Sequence, residues 1–265
     1  MINLVHNELN HLEPHLFEKL NQMELYIFQK KQVSIKELME VFEMSDSTLR
    51  RYLKRLEDKN LIQKGYGFVT ANTTDSLINI RARINHLSSS KKYISSLASS
   101  FIKEGSTIFI DSGTTHMYLT EWLKNKQLTI VTNNLLFAIK AIDEHLPSEV
   151  IVIQGSINNK TISISGDASI RLLDEFYFDA CFITASGISM LNGCSNRTSP
   201  EAQIKKKILS RSNVKILLAD DTKFEKTFPY SFGSLTEFDY IITNSKPNDE
   251  FLDFTKGTPS QIIWE

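Results

Sequence analysis

Cysteine is scarce in this sequence: only Cys181 and Cys194 are present. Two cysteines cannot form the disulfide framework of a small secreted domain, and their spacing is not that of a zinc site. Of the six histidines, only His11 and His15 have the i, i+4 spacing of two ligands on one helix, and no third ligand accompanies them. We therefore expect a cytoplasmic protein that binds no metal and carries no cofactor.

Long apolar runs and an excess of charge of one sign are also missing. No run approaches the roughly 18 residues of a membrane-spanning helix, and the N-terminus lacks a signal-peptide pattern, so no membrane partner is expected. The net charge of −1 excludes an overall basic nucleic-acid coat. The charge is unevenly distributed, however, because residues 1–46 carry four Lys or Arg against eight Asp or Glu, and residues 47–66 carry six against two. Such a local positive excess attracts phosphate groups.

The basic segment has the pattern of an amphipathic helix. Ser45 or Asp46 can cap its start, because a short side-chain oxygen accepts from a free backbone N–H group there. Leu49, Leu53 and Leu56 recur at i, i+4 and i+7 and form one apolar stripe. The opposite face carries hydroxyl and basic side chains: Ser47, Arg51 and Lys54, flanked by Arg50 and Arg55.

The segments around this helix predict a helix-turn-helix. Residues 13–30 have a helical apolar pattern, and Ser34 is placed to cap a second helix over Ile35–Phe42, with a capping box as the expected arrangement. Glu43-Met44 is a tight turn before the basic helix. The glycines of residues 63–70, and the alternation of apolar and polar residues there, predict a β-hairpin, which we interpret as a wing.

We predict a winged helix-turn-helix DNA-binding domain over residues 1–70, with residues 1–12 as an extension. A helix with leucines on one side and guanidinium groups on the other suits the DNA major groove. Two alternatives remain at this point: a solvated basic face on an ordinary surface helix, and a protein-interaction module that does not bind DNA. The residues predicted to contact DNA are Ser45, Ser47, Thr48, Arg50, Arg51, Lys54, Arg55, Lys64 and Tyr66.

Residues 88–265 predict a second, α/β domain. Residues 71–87 before it predict a linker, either a plain loop or one with a short helix near residues 77–84. Short apolar strands then alternate with helices, which favours a mainly parallel sheet covered on both faces. The predicted strands are Thr107–Ile110, Leu128–Val131, Val150–Ile153, Ala180–Ile183, Lys215–Ala219 and Tyr240–Thr243, and the predicted helices include Thr115–Leu123, Leu135–His145, Ala168–Phe176 and Pro200–Arg211.

Ligands of such sheets bind beyond the carboxyl ends of the strands, and the first strand is followed there by Asp111-Ser112-Gly113-Thr114-Thr115. Gly113 lets the backbone turn close to a ligand. The three hydroxyl groups and the free N–H groups of the next helix can form an anion cradle. The segment lacks the P-loop and GxGxxG patterns, and a plain Ser/Thr helix cap is the alternative interpretation.

Small and polar residues also follow the other strands, namely Thr132, Asn133, Gly155, Ser186 and Gly187. Together they suit a small molecule that is hydroxylated and phosphorylated. Lys223, after a later strand, is either a cation for that molecule or a solvated lysine. Arg197 is a second possible anion contact.

Six motifs stand in one order along the chain. They are Ser45–Leu53, Ile108–Thr115, Val131–Asn133, Phe178–Ile183, Leu218–Phe224 and Tyr240–Asn244. In this order they resemble the DeoR family of bacterial regulators of sugar metabolism. Two positions differ from the usual family pattern: Tyr52 stands where an aspartate follows the paired arginines, and Gly65-Tyr66-Gly67-Phe68 stands in place of Gly-Gly-Ala.

The resemblance implies a winged helix-turn-helix followed by a larger Rossmann-like α/β sensor domain related to ribose-phosphate isomerases and CoA transferases. It implies that a phosphorylated sugar binds the sensor and alters binding to double-stranded operator DNA, and a homodimer or homotetramer is expected. Residues 111–115 would hold the phosphate. Around the sugar would stand Thr132, Asn133, Gly155 and Lys223, with Ser186 and Gly187 at the neighbouring strand end.

An isomerase or transferase that carries an accessory helix-turn-helix is the alternative function. A general acid–base enzyme needs a titratable group near the substrate proton. Where the related isomerases have carboxylates, this chain has Thr184-Ala185-Ser186-Gly187, although Asp111 and Asp220 remain nearby. We therefore expect a sensor with no catalytic residues rather than an enzyme.

Overall fold

The structure of the chain, a computed structural model, describes residues 14–58, 61–71, 83–84 and 86–264. Its contacts divide into two compact units, Met1–His86 and Leu87–Glu265. The predicted extension over residues 1–12 lies outside the described residues, as do most of the linker and of its short helix. Among the described residues, no helix has the length and apolar character needed to cross a membrane.

The first unit has the predicted helix-turn-helix and wing. Its elements are α1 (Pro14–Lys30), β1 (Gln32–Ser34), α2 (Ile35–Phe42), α3 (Asp46–Asp58), β2 (Ile62–Lys64) and β3 (Phe68–Ala71). The predicted hairpin is formed by β2 and β3, and β1, which was not predicted from the sequence, joins it in the order β1-β3-β2.

Local hydrogen bonds set the ends of α2. Ser34 Oγ accepts from the Glu37 N–H at 3.1 Å and caps the helix as predicted. The Glu37 carboxylate accepts from the Tyr26 hydroxyl at 2.7 Å instead of closing a capping box. Glu43, in the left-handed region with φ 50°, ends the helix. The core beneath is built from Leu20, Met23, Ile27, Leu38, Leu49, Tyr52, Leu53, Leu56 and Val69.

The second unit is built on a seven-stranded sheet whose neighbouring strands are all parallel. The elements are α4 (Ser88–Ser99), β4 (Thr107–Ile110), α5 (Thr120–Leu123), β5 (Thr129–Thr132), α6 (Leu135–Asp143), β6 (Glu149–Val152), β7 (Ser156–Asn158), β8 (Ser163–Ser165), α7 (Asp167–Leu173), β9 (Phe178–Thr184), β10 (Gly187–Ser189), β11 (Gly193–Asn196), α8 (Ser199–Ser210), β12 (Ser212–Leu218), β13 (Tyr230–Gly233), β14 (Tyr240–Ile242), α9 (Asp249–Thr255) and β15 (Gln261–Ile263).

The strand order of this sheet is β15-β14-β12-β9-β4-β5-β6. The chain moves outward from β4 through β5 to β6, and then returns to β9 and moves outward on the other side. The order therefore reverses between β4 and β9, and a crevice forms at the carboxyl ends of two such strands. Apolar residues of the central strands, including Phe109, Phe182, Ile183 and Leu217, are fully buried.

The predicted α-helix over residues 115–123 is wrong, because the segment is a 3-10 turn (Thr115–Tyr118) followed by the short α5. Side chains occupy carbonyl groups that an α-helix would use. The carbonyl of Met117 accepts from Lys140 Nζ at 2.5 Å and from Thr120 Oγ1 at 3.2 Å. The carbonyl of Thr115 accepts from Ser95 Oγ at 3.0 Å. Such bonds favour the tighter turn.

Candidate effector site and DNA-binding surface

The exposed face of α3 is basic. Ser47, Arg51 and Lys54 are exposed, as is Arg50, whereas Arg55 is half-buried. The Nε of Arg50 donates to Asp46 Oδ2 at 2.6 Å, so this guanidinium is paired within the helix. Arg51 and Lys54 form no ion pair with any residue that the structure describes. Their charges are therefore available to a partner.

The start of α3 gathers three hydroxyl groups. Ser45 Oγ accepts from the Thr48 N–H at 3.3 Å, so Ser45 caps the helix. The hydroxyls of Ser47 and Thr48 lie 3.1 and 3.0 Å from the same oxygen. Hydroxyl groups and the N–H groups of a helix start are typical phosphate contacts in protein–DNA complexes.

The tip of the β2–β3 hairpin presents Tyr66, which is fully exposed. Glycine suits both neighbours: a Cβ on Gly65 would require the Phe68 ring to move, and Gly67 has φ +76°, which strains other residues. Lys64 Nζ pairs with Glu57 at 2.6 Å, which ties the hairpin to the end of α3. The α3 face and the hairpin tip thus include all nine predicted DNA contacts.

In the second unit, a buried ion pair lies at the carboxyl ends of the adjacent strands β4 and β9. Asp111 follows β4, and its Oδ2 pairs with Nζ of Lys205 from α8, both side chains being almost completely buried. Lys205 Nζ also donates to the carbonyl of Thr184 at 2.8 Å. The N–H and the hydroxyl of Thr184 both donate to Asp111 Oδ2 at 3.2 Å. This network joins the ends of β4 and β9 to α8, so the Asp111 carboxylate anchors the loop.

Asn134 and Gly113 fix the course of the loop over residues 111–115. Asn134 Nδ2 donates to the carbonyls of Asp111 and Gly113 at 3.3 and 3.1 Å, and its Oδ1 caps α6 by accepting from the Phe137 N–H at 3.1 Å. Gly113 has φ +151°, and a Cβ there would lie 2.7 Å from Thr184 Oγ1. Ser112, Thr114 and Thr115 are buried within this loop.

The strand next to β4 brings two more predicted residues to the same end of the sheet. Thr132 uses its hydroxyl internally, since Oγ1 donates to the Ile110 carbonyl at 2.6 Å. Asn133 is buried, and its Oδ1 has no hydrogen-bond partner among the described residues. Gly155, beyond the edge strand, packs its backbone tightly, because a Cβ would stand 2.6 Å from both the Ser165 carbonyl and Ser169 Oγ. Its contact with an effector stays a prediction.

On the other side of β4, the remaining predicted residues follow β9 and β12. Ser186 donates its N–H to the Ser195 carbonyl at 3.0 Å. Gly187 packs closely against the segment that follows β12, since a Cβ on Gly187 would lie 2.4 Å from the carbonyl oxygen of Lys226. Lys223 is partly exposed and lies 3.8 Å from Asp220. The predicted residues therefore share one end of the sheet, and their roles in binding stay predictions.

Lys205 and Glu201 of α8 were not predicted from the sequence. Glu201 is buried and accepts from Asn196 Nδ2 at 3.2 Å and from Thr198 Oγ1 at 3.0 Å. The two charged residues are four positions apart and so lie on one face of the helix, the face that also buries Ile208. A carboxylate and an amine within an apolar stripe are the signal that could have identified them.

His116 is a further residue that the sequence analysis did not assign to this loop. Its ring is fully buried, and neither nitrogen has a hydrogen-bond partner among the described residues. Burial lowers the pKa of His116 from 6.5 to about 4, although the nearby Asp111 carboxylate acts in the opposite direction. The imidazole is therefore neutral at physiological pH.

We predict that His116→Gln makes the stability of this domain less sensitive to pH. Between pH 6.5 and 4 the unfolded chain binds a proton at His116 that the folded chain does not, so stability falls as the pH falls through that window. Between pH 6.5 and 5, the contribution of His116 lowers the free energy of unfolding by about 2 kcal/mol. Urea unfolding at pH 7.5 and 5 measures it, and an equal change in the wild type and the variant would refute the assignment.

Comparison with known proteins covers both units. The model of the DeoR-like helix-turn-helix domain matches residues 19–75, and that of the DeoR C-terminal sensor domain matches residues 87–245. The HTH-type transcriptional regulator IolR of Bacillus subtilis (strain 168) is 32% identical over 237 residues, which span 89% of this chain and 94% of that protein. The lactose phosphotransferase system repressor of Staphylococcus aureus (strain N315) is 28% identical over 236 residues, 88% of this chain and 94% of that protein.

Among solved structures, ribose 5-phosphate isomerase from Plasmodium falciparum matches with a TM-score of 0.37 and 17% identity, over 51% of this chain and 52% of that chain. The two domain models match in the order that the fold shows, and the regulators match over almost their whole length. The chain belongs to the DeoR family of helix-turn-helix transcription regulators and is not an enzyme.

Proposed function

We propose that this protein is a cytoplasmic repressor that binds the operator of a carbohydrate-metabolism operon. The observation that carries the proposal is the pair of exposed, unpaired cations Arg51 and Lys54 on a helix whose opposite face is buried. Such a helix can enter the major groove while its leucines stay in the core. The name of the related lactose phosphotransferase system repressor supports the carbohydrate context.

Helix-turn-helix proteins bind two half-sites about 34–36 Å apart through paired recognition helices. A single α3 reads one half-site. We therefore propose that the protein acts as a homodimer or homotetramer.

We also propose that a phosphorylated sugar binds the crevice between β4 and β9. The backbone N–H groups of Ser112, Gly113 and Thr114 precede the 3-10 turn, where N–H groups lack partners within the turn and can bind a phosphate. The unpartnered Oδ1 of Asn133 can accept a hydrogen bond from a sugar hydroxyl. A buried acceptor without a partner costs about 1–3 kcal/mol, which a hydroxyl ligand would recover.

Thermal unfolding with a panel of sugar phosphates, the parent sugars and inorganic phosphate tests this site. We expect one sugar phosphate to raise the Tm by several degrees, because a ligand at 100 times its Kd stabilises by about 2.7 kcal/mol, and we expect its parent sugar to have no such effect. Gly113→Ala should abolish the response, since its Cβ would crowd Thr184 Oγ1.

Gly105→Ala is the matched control, because Gly105 has φ +74° and open space around its Cβ position. The control therefore places an alanine at a positive φ without a clash. A panel in which no sugar phosphate raises the Tm contradicts the proposed effector. A Gly113→Ala response equal to that of the wild type contradicts the proposed location.

A further inference from the structure

Glu201 is a buried carboxylate for which the described part of the chain provides no cation. The residue is 7% exposed, and no lysine, arginine or histidine that the structure describes lies within ion-pairing distance of it. Its two hydrogen bonds come from neutral groups, Asn196 Nδ2 at 3.2 Å and Thr198 Oγ1 at 3.0 Å, and both end on Oε2. Oε1 accepts from no described residue. Buried carboxylates are usually paired with a cation, so Glu201 is an exception.

The cations on either side of Glu201 along the chain are engaged elsewhere. Lys205, one turn further along α8, pairs with Asp111 and donates to a backbone carbonyl. The guanidinium of Arg197 lies over the Phe228 ring, 4.2 Å from the ring centre. Glu201 itself stands in the first turn of α8, where the helix dipole favours the negatively charged form of a carboxyl group. The position therefore holds a negative charge that these two cations do not neutralise.

Asn196 adds a second free acceptor beside this carboxylate. Its side chain is 5% exposed, and its Nδ2 is committed to Glu201 Oε2. Its Oδ1 has no hydrogen-bond partner among the residues that the structure describes. A buried acceptor without a partner is costly, so a donor from outside the chain would stabilise this position. Asn196 and Glu201 thus form one small cluster with two acceptor oxygens to offer.

The direction of α8 places this cluster at the carboxyl end of the sheet. α8 ends just before β12 begins, and β12 is parallel to β9, so the first turn of the helix lies at the carboxyl ends of the strands. Lys205 reaches Asp111 at the start of the loop over residues 111–115. Glu201 lies one turn, about 6 Å, nearer the start of the helix. The cluster is therefore close to the loop that is proposed to hold the phosphate.

We propose that Asn196 and Glu201 bind an ammonium group of the effector, which is then the phosphate ester of an amino sugar. The inference rests on the proposed function, because it starts from a phosphorylated sugar in the crevice. A protonated amine supplies the positive charge that Glu201 lacks, and its three N–H donors can reach Glu201 Oε1 and Asn196 Oδ1 together. A hydroxyl group at the same position brings one donor and no charge. The site therefore selects the amine over the hydroxyl.

Matched pairs of ligands test this selectivity on the full chain. The 6-phosphates of glucosamine, galactosamine and mannosamine are each compared with the 6-phosphate of the parent hexose and with the neutral N-acetyl derivative. Isothermal titration calorimetry gives each Kd at a slightly acidic pH, which keeps the amine protonated. We expect one amino sugar phosphate to bind about 10- to 100-fold more tightly than its two counterparts, the range of a hydrogen bond to a charged group.

Glu201→Gln tests the assignment to this carboxylate, and Glu250→Gln is the matched control. Glutamine keeps an oxygen that can accept from Asn196 and Thr198, so the substitution removes mainly the charge. Glu250 is exposed in the first turn of α9, so its variant removes a carboxylate from another helix start. We expect Glu201→Gln to bring the Kd ratio of the selected pair to about 1, and Glu250→Gln to keep the wild-type ratio. A packing defect alone would weaken both ligands and preserve their ratio.

A hexose phosphate that binds the wild type as tightly as its amino counterpart would overturn the inference and leave a sugar phosphate effector intact. A Glu201→Gln variant that keeps the wild-type ratio would overturn it as well. The wild-type comparison needs no variant, so the inference can fail whether or not Glu201→Gln folds. If no phosphorylated sugar binds, with or without an amine, the proposed effector fails together with the inference.

Discussion

Lys205→Met is expected to destabilise the sensor domain by about 3–5 kcal/mol, because the substitution leaves the buried Asp111 carboxylate without a cation. The loss is large against the roughly 5–15 kcal/mol that holds a typical domain folded. Both tryptophans, Trp122 and Trp264, lie in this unit. Urea unfolding followed by tryptophan fluorescence therefore reports on it directly.

Lys207→Met, two positions along the same helix, is the matched control. Lys207 pairs with the exposed Asp174 at 2.8 Å, and such surface pairs contribute about 0–1 kcal/mol. Adding Asp111→Asn to Lys205→Met should recover part of the stability, because no charge then remains buried without a partner. Equal urea midpoints for Lys205→Met and Lys207→Met would contradict the anchoring role of the ion pair.

Arg51→Ala and Lys54→Ala are each expected to weaken operator binding. The plot of log K against log salt concentration has a negative slope, and a lost phosphate contact should make that slope shallower by about 1. A lost base contact should cost about 1–3 kcal/mol of binding free energy and relax specificity at one base pair. Fluorescence anisotropy of labelled operator DNA at several salt concentrations distinguishes these outcomes for each residue.

Lys36→Ala controls for the removal of a positive charge from the same domain. Lys36 is exposed on α2 rather than on α3, and it lies 4.0 Å from Glu40. If Arg51→Ala or Lys54→Ala binds DNA as the wild type does at matched salt, the assignment of that residue fails. If neither differs from Lys36→Ala, the α3 face is not the DNA-binding surface.

The features that the sequence predicts well are those determined by nearby residues. The buried and exposed faces of α3 follow from the spacing of Leu49, Leu53 and Leu56, and the parallel sheet follows from short apolar strands between helices. Tyr52, which differs from the family pattern, belongs to the buried core and does not alter the exposed face. Local periodicity is thus enough to place the candidate DNA contacts.

The features that the sequence does not reveal depend on distant contacts. Lys205 and Asp111 are 94 positions apart, and only the folded sheet brings α8 beneath the loop. The antiparallel sheet β10-β11-β13 was also missed, because its strands are short and β11 carries an irregularity at Cys194 and Ser195. The contacts that anchor the candidate effector site are therefore visible only in three dimensions.

Control of operator binding requires that the effector bind one arrangement of the protein better than another. Coupling of this kind is typically about 1–3 kcal/mol, which changes DNA affinity by roughly 5- to 150-fold. A sugar phosphate that stabilises the sensor without changing DNA affinity would therefore be a ligand but not a regulator.

Fluorescence anisotropy of DNA taken from upstream of the protein's own transcription unit measures both operator binding and its control by an effector. The protein is titrated at fixed salt, alone and with each sugar phosphate of the panel, against a scrambled sequence of equal length. We expect sequence-specific binding whose affinity one sugar phosphate changes by roughly 5- to 150-fold, while its parent sugar leaves it unchanged. Binding that does not distinguish the two sequences would contradict operator recognition, and binding that no sugar phosphate alters would contradict control by a phosphorylated sugar.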